Sequence, residues 1–292
     1  MKMKKSLIVA IIFLVTFNLF SQEDEPKQSS NIQTYTPSKL LNKGQWDVKW
    51  FNNLYTQTKA ANGGGEVVKD LPRETYFTSS LDVFTGVSNS NRLNVGFLAE
   101  FRSNAVSGRD ALDVFKFDSD IQSSRSGLTS IAPVIKFNPI KDVGNFTIQT
   151  AIHIPLISDE SNDNGVFLDQ TAYTFQNRFF YDYTFPEGDW QIFTELNTEY
   201  NFGDDSSFAN KTFVLAPGVF MSYFPNRKVT VLGFLQHQQR FGDFTQDFTA
   251  LGFGGKYQLS SNLNIEILFS DFIRGTNSGL GQTFNIGLRA LF

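Results

Sequence analysis

The chain has 292 residues without a single cysteine, and its 25 basic residues are outnumbered by 29 acidic ones, which gives a net charge of −4. The absence of cysteine excludes both a disulfide-stapled secreted domain and a lipidated cysteine anchor. The acidic balance argues against nucleic acid as a partner.

A secretory signal peptide is predicted at the start of the chain. Lys2, Lys4 and Lys5 precede an uncharged apolar run over residues 6–17, and this order is typical of such signals. The run stops at Asn18, so it is shorter than the ~20 residues that a membrane-spanning helix requires. We therefore expect a signal peptide at 1–21, a periplasmic lead-in at 22–43 and a barrel domain at 44–292. An uncleaved membrane-anchor helix is the alternative.

About twelve segments with alternating apolar and polar residues follow the lead-in. Each is at least as long as the ~9–11 residues with which a tilted strand crosses a bilayer. Their length favours a membrane barrel over a soluble β-sandwich, which would also alternate. The predicted segments begin near Gln45, Glu74, Arg92, Leu128, Phe146, Gln170, Asp189, Lys211, Val229, Asp247, Asn262 and Gly281.

The connections between these segments alternate in length. Brief turns follow the even-numbered segments, and longer polar loops follow the odd-numbered ones, among them 58–72, 104–125, 158–168 and 203–210. Short periplasmic turns and long extracellular loops are typical of outer-membrane barrels. The sequence therefore predicts an all-β, transmembrane, antiparallel up-and-down β-barrel, located in the outer membrane and surrounded by its lipid bilayer.

The two faces of the strands can be assigned by parity, because lipid tolerates only apolar residues on the outer face. On the third segment Leu93, Val95 and Phe97 alternate with Asn94 and Gly96. Leu98 is the one apolar residue on the polar side. Inward glycines at Gly252 and Gly254 are expected to make room for bulky neighbours in the lumen.

The final segment resembles the closing strand of outer-membrane proteins. Phe284, Ile286 and Leu288 share the parity of the terminal Phe292. In that class the closing strand commonly ends in an aromatic residue, so the resemblance implies that Phe292 is the signal read by the barrel-assembly machinery. The Phe20-Ser21-Gln22 end of the signal and the Phe- and Asn-rich composition resemble barrels of the Bacteroidota.

If the apolar faces contact lipid, charged residues of both signs line the lumen. They can form cross-lumen ion pairs that fill the interior, or they can line a small polar pore. The predicted lumen residues are Asp47, Lys49, Asp82, Arg92, Glu100, Arg102, Lys136, Arg178, Asp182, Glu195, Glu199, Lys256, Glu266 and Arg289.

No catalytic site, cofactor site or metal site is predicted. His153 is expected to face inward, but Pro155 stands where outer-membrane phospholipases carry a serine. His237 lies near the outer end of its strand, and an Asp-His site at the rim remains an alternative. Two histidines without cysteine offer no cluster of metal ligands.

The function favoured by these features is an outer-membrane channel or transporter for a small solute, with selectivity set by the inward charges and the outer loops. The main alternative is a non-conducting barrel that serves as a structural or partner-docking element. An outer-membrane hydrolase is the third. The loop at 105–125 is long and apolar enough either to fold inward as a constriction or to bind a partner, and the sequence leaves both open.

Overall fold

The computed structural model describes residues 36–118, 120–203 and 209–292. The predicted signal peptide, 1–21, lies outside the described residues. No helix within the described ranges has the length and apolar character needed to cross a membrane. The long strands are β1 (Trp46–Gln57), β2 (Glu74–Gly86), β3 (Leu93–Ala105), β4 (Ser124–Phe137), β5 (Phe146–Pro155), β6 (Thr174–Thr184), β7 (Trp190–Asn201), β8 (Thr212–Asn226), β9 (Val229–Phe241), β10 (Gln246–Gln258), β11 (Leu263–Thr276) and β12 (Gln282–Leu291).

These strands form one closed antiparallel barrel. Each strand pairs with its neighbours in the chain, and β1 pairs with both β2 and β12. At this seam Trp46 and Phe292 exchange backbone hydrogen bonds of 3.1 and 2.9 Å. Closure leaves no long strand edge unpaired, which a hydrocarbon environment requires. The predicted fold is confirmed.

Ten of the strands begin within one residue of their predicted starts. The fourth strand begins earlier than predicted, at Ser124, because its first, polar residues pair with the end of β3. Ser124 lies opposite Ala105. The sixth begins later than predicted, at Thr174, after a short stretch in which the Gln170 amide donates to the Thr174 hydroxyl over 2.6 Å. Apolar alternation cannot locate either boundary, because both segments are polar.

One rim of the barrel carries the short turns, which we call the turn rim, and the other carries the loops, which we call the loop rim. On the loop rim, 242–245 and 277–281 are as short as the turns, whereas long loops were predicted after every odd strand. Loop 58–73 pairs its two-residue strands Ala60–Ala61 and Val67–Val68 with each other. Ser278–Gly279 joins them in a small sheet over the rim.

The outer wall is apolar and is bordered by aromatic rings. Large exposed side chains such as Phe97, Ile267 and Phe284 stand at the outward positions predicted from parity. Near the turn rim the Trp190 and Tyr223 rings lie 4.7 Å apart, centroid to centroid. Near the loop rim Tyr200 and Phe202 make a similar pair at 4.9 Å. Two aromatic belts around an apolar band are typical of a transmembrane barrel.

The loop between β3 and β4 packs on the outer wall of the barrel. It contains a 3₁₀ helix, Ala111–Lys116, whose fully buried Val114 contacts Phe77 and Ala105. The Ser103 hydroxyl donates to the Val114 carbonyl over 2.6 Å. Phe77, Ser103 and Ala105 all have outward parity. The inward constriction considered from the sequence is therefore wrong, and this loop lies against the lipid-facing side.

Ion pairs stabilise this 3₁₀ helix at neutral pH. Hydrogen bonds from Lys116 and Arg109, both 2.9 Å long, hold the pKa of Asp113 below its ordinary value. A carboxyl whose pKa is lowered in the folded state stabilises that state above its ordinary pKa of ~3.9 and stops doing so as the pH falls through the folded value. We expect the amides of 111–116 to exchange hydrogen faster at pH 3 than at pH 7, after correction for intrinsic rates. The same pH difference in Asp113→Asn would contradict this account.

Candidate functional site

Three cavities along the lumen are formed by the described residues, one of them large. The central cavity has a volume of about 730 Å³. A turn-side cavity of about 110 Å³ lies below it, and an upper pocket of about 110 Å³ lies toward the loop rim. The central and turn-side cavities share the side chains of Pro37, Lys49, Asp82, Arg178, Lys256 and Glu266. These shared residues lie where the two cavities adjoin.

The segment before β1 occupies the turn-side end of the lumen. Leu41 is 2% exposed and packs against Phe84 and Leu291 on the inner wall. Its backbone N–H donates to Asn94 Oδ1 over 3.2 Å, and the Thr36 hydroxyl donates to Asp182 Oδ1 over 3.1 Å. Residues 36–41 of the predicted periplasmic lead-in therefore lie inside the barrel end, and Asn42 and Lys43 are exposed. The remainder, 22–35, lies outside the described residues.

Most of the predicted lumen charges are joined in ion pairs along the inner wall. Arg289 and Asp47 form a two-pronged pair, with Nε–Oδ1 and Nη2–Oδ2 distances of 2.8 and 2.6 Å. The other pairs are Lys256–Glu266 at 2.7 Å, Lys49–Glu266 at 3.6 Å, Arg178–Glu195 at 2.7 Å and Arg102–Glu100 at 2.6 Å. The lumen thus combines paired charges with open volume.

Three further predicted residues have polar partners outside this network. The Arg92 guanidinium donates to the Asn138 carbonyl over 2.9 Å at the turn rim. Asp182 is paired with Lys39 of the lead-in at 3.6 Å. Glu199 accepts hydrogen bonds of 2.9 and 2.8 Å from the Gln176 and Asn197 amides.

Asp82 and Lys136 differ from the rest of the predicted set. Within the part of the chain that the structure describes, neither makes an ion pair within 4.0 Å. Both line the turn-side cavity. Lys136 is only 8% exposed, and its ammonium lies 5.3 Å from the centroid of the Phe180 ring.

A row of phenylalanine rings lies on the inner side of four adjacent strands, beside the Arg178–Glu195 pair. The centroid distances are 6.0 Å for Phe180 and Phe193, 5.4 Å for Phe193 and Phe220, and 5.3 Å for Phe220 and Phe234. The four rings belong to β6, β7, β8 and β9, so they form a continuous row across four adjacent strands. We call this row the aromatic wall.

The sequence interpretation missed the aromatic wall because it assigned apolar residues to the lipid side. Strand parity alone could have found it, because Phe193 shares the inward face of β7 with Gln191 and Glu195. Gly252 occupies an inward position beside Phe234, and a β-carbon there would overlap that ring and the Phe269 carbonyl. The expectation that inward glycines make room for a bulky neighbour is confirmed.

The upper pocket is acidic. Glu100, Asp169 and Glu199 contribute carboxylates to its lining. Burial raises the pKa of Asp169, although Arg102 Nη1 lies 3.1 Å from its Oδ1 and opposes the shift.

Each of the two histidines has a polar side chain of the adjacent strand beside it. His153 faces inward as predicted, and its Nε2 is 3.4 Å from the Gln176 amide oxygen. His237 Nδ1 is 2.9 Å from the Thr249 hydroxyl. Within 36–118, 120–203 and 209–292, no three His, Cys, Asp or Glu side chains are grouped closely enough to hold a metal ion.

Comparison with known proteins finds barrels of similar structure. No curated protein matches the sequence. The crystal structure of an outer membrane channel from Pseudomonas putida F1 is 11% identical, with a TM-score of 0.71 over 93% of this chain and 100% of that one. The β-domain of a Bordetella autotransporter is 12% identical, with a TM-score of 0.55 over 84% of this chain and 99% of that one.

At these identities the structural likeness establishes the fold alone, a closed antiparallel β-barrel. A family model matches the sequence itself over residues 51–286, which include all or part of every long strand. The chain therefore belongs to the family described as "Putative MetA-pathway of phenol degradation".

Proposed function

We propose that the protein is an outer-membrane channel for small solutes with an aromatic or apolar part. The observation that carries this proposal is the aromatic wall along a cavity of about 730 Å³. The family description, which concerns phenol degradation, and the channel fold of the Pseudomonas putida protein support it. The proposal includes no catalytic step for His153 or His237.

The chemistry of the lumen suits such a solute. Aromatic rings at centroid distances of about 4.5–7 Å attract one another by roughly 0.5–1.5 kcal/mol beyond area burial. Phe193, Phe220 and Phe234 line the central cavity with ring separations of 5.4 and 5.3 Å, so a planar solute there can make similar ring contacts. In the Arg289–Asp47 and Arg178–Glu195 pairs each charge is neutralised by its partner. This pairing lowers the attraction of the lumen for simple ions.

A non-conducting barrel is the second candidate, and one observation favours it. Residues 36–41 fill part of the turn-side end, where Leu41 is almost fully buried. If this segment stays in place, the lumen is a pocket rather than a path. The conductance of the full mature chain distinguishes the two.

The experiment measures ion current through the refolded protein in a planar bilayer while phenol is titrated. We expect a current that phenol reduces in a saturable manner, because phenol occupies the aromatic wall. The double variant Phe193→Ala/Phe220→Ala should weaken this block by about tenfold, since two aromatic contacts of ~0.7 kcal/mol each are lost. The matched control is Phe253→Ala, because Phe253 is 64% exposed on the outer wall.

Two results would contradict the proposal. A well-folded barrel that carries no current supports the non-conducting candidate. A current that phenol leaves unchanged would show that the lumen conducts but does not select for aromatic solutes.

A further inference from the structure

The turn-side cavity carries an excess of positive charge. Its lining includes six cationic side chains, Lys39, Lys49, Lys136, Arg178, Lys256 and Arg289. Only three carboxylates, those of Asp47, Asp82 and Glu266, line the same space. The upper pocket has the opposite character, because its lining includes three carboxylates and no lysine or arginine. A solute that moves along the lumen therefore meets a cationic region next to the turn rim.

Lys136 is the cationic residue in this cavity that makes no ion pair within 4.0 Å among the described residues, and Asp82 is its acidic counterpart. It is 8% exposed, yet its direct neighbours on the adjacent strands are the uncharged Asn94 and Gln149. Among the described residues no carboxylate lies within 4.0 Å of its ammonium. A buried ammonium is unfavourable unless an anion or several acceptors compensate it. An anion bound in the cavity would supply that compensation.

The cationic cavity and the aromatic wall meet at one ring. Phe180 is the first ring of the wall, with its centroid 6.0 Å from that of Phe193. The Lys136 ammonium and the Arg178 guanidinium lie 5.3 and 5.1 Å from the Phe180 centroid. A ligand with a carboxylate on a ring could thus place its charge by Lys136 and its apolar part along the wall.

We propose that this junction binds small carboxylates carried by an aromatic or apolar group. The inference rests on the proposed function, since it names the solute class for the same lumen. The carboxylate accepts hydrogen bonds from Lys136, and the attached ring extends past the buried Phe180 toward Phe193, which lines the central cavity. Arg178 is held by Glu195 at 2.7 Å, so it adds positive potential while Lys136 provides the free donor.

The test measures binding by isothermal titration to the refolded full mature chain in detergent at pH 7. The three probes are benzoate, benzyl alcohol and benzylamine, which share one ring and differ in charge. We expect benzoate to bind about tenfold more tightly than benzyl alcohol, and benzylamine to bind least, because charge-assisted hydrogen bonds are stronger than neutral ones.

Variants locate the site. Lys136→Met should remove the preference for benzoate over benzyl alcohol, and Lys136→Arg should retain the preference. Lys228→Met is the matched control, because Lys228 is exposed on the turn between β8 and β9. Faster migration of the unboiled protein in a detergent gel confirms that each variant is folded, and the wild-type series tests the inference without any variant.

The outcomes separate this inference from the proposed function. Equal binding of benzoate and benzyl alcohol, or tighter binding of benzylamine, would overturn the carboxylate site and leave an aromatic channel standing. Absence of binding by all three probes would overturn both. A benzoate preference that survives in Lys136→Met would show that another part of the lumen recognises the anion.

Discussion

Replacing Arg289 by methionine is expected to lower the free energy of unfolding by about 3 kcal/mol, among the largest effects of any single lumen substitution. Arg289 and Asp47 are 18% and 15% exposed and share two short hydrogen bonds. Removal of one partner of a buried pair leaves the other charge without compensation. The loss falls on the pairing of β1 with β12, where the barrel closes.

The measurement is urea unfolding in detergent micelles, followed by tryptophan fluorescence. The double variant Asp47→Asn/Arg289→Met should recover much of the lost stability, because no carboxylate is then left unpaired. The control is Arg274→Met, whose guanidinium is 66% exposed and 3.3 Å from Asp247. An exposed pair contributes about 1 kcal/mol or less. Similar losses in both arginine variants would show that the interior pair is solvated like a surface pair.

A similarly large effect is expected when arginine replaces Ile267 on the outer wall. Ile267 is 59% exposed in the middle of β11, opposite Gly255 and Ile286. An arginine near the bilayer midplane destabilises a barrel by roughly 2–4 kcal/mol, because the charge enters hydrocarbon. Unfolding in phospholipid vesicles measures the loss, since detergent molecules rearrange around a charge more easily than a bilayer does.

The matched control for this substitution lies on the same strand with opposite parity. Ser270 faces the central cavity and shares a hydrogen bond of 2.7 Å with Thr283. Ser270→Arg places its charge in the lumen and should cost less than Ile267→Arg. If the two variants lose equal stability, the assignment of faces on β11 is incorrect.

The sequence was sufficient for the architecture because the bilayer imposes a strict pattern. Alternation with a period of two predicted the strands, and parity placed the charged residues on the inner wall. The partners of those charges could not be predicted, because Arg289 and Asp47 are 242 residues apart and their contact depends on the register at closure. The 3₁₀ helix escaped prediction for a related reason, since Phe77 and Val114 meet only through loop geometry.

One apolar exception in the pattern proved informative. Leu98 stands on the inward side of β3 and packs against the cluster that includes Leu41 and Phe84. An inward leucine therefore marked the place where the lead-in enters the barrel. Phe193 and Phe220 similarly marked the aromatic wall. Apolar residues at inward positions thus indicate what fills or lines the lumen.

The seam between β1 and β12 determines the order in which the molecule can assemble. Hairpins of consecutive strands bring together residues that are near in the chain, whereas the Asn52 amide reaches the Ile286 carbonyl across 234 residues. Local pairings form before such distant ones, because long-range contacts carry a larger loop-closure cost. Until β12 arrives, β1 presents an open edge on which another chain can add a strand. Truncation before Gln282 should therefore yield chains that aggregate through β1 rather than smaller barrels.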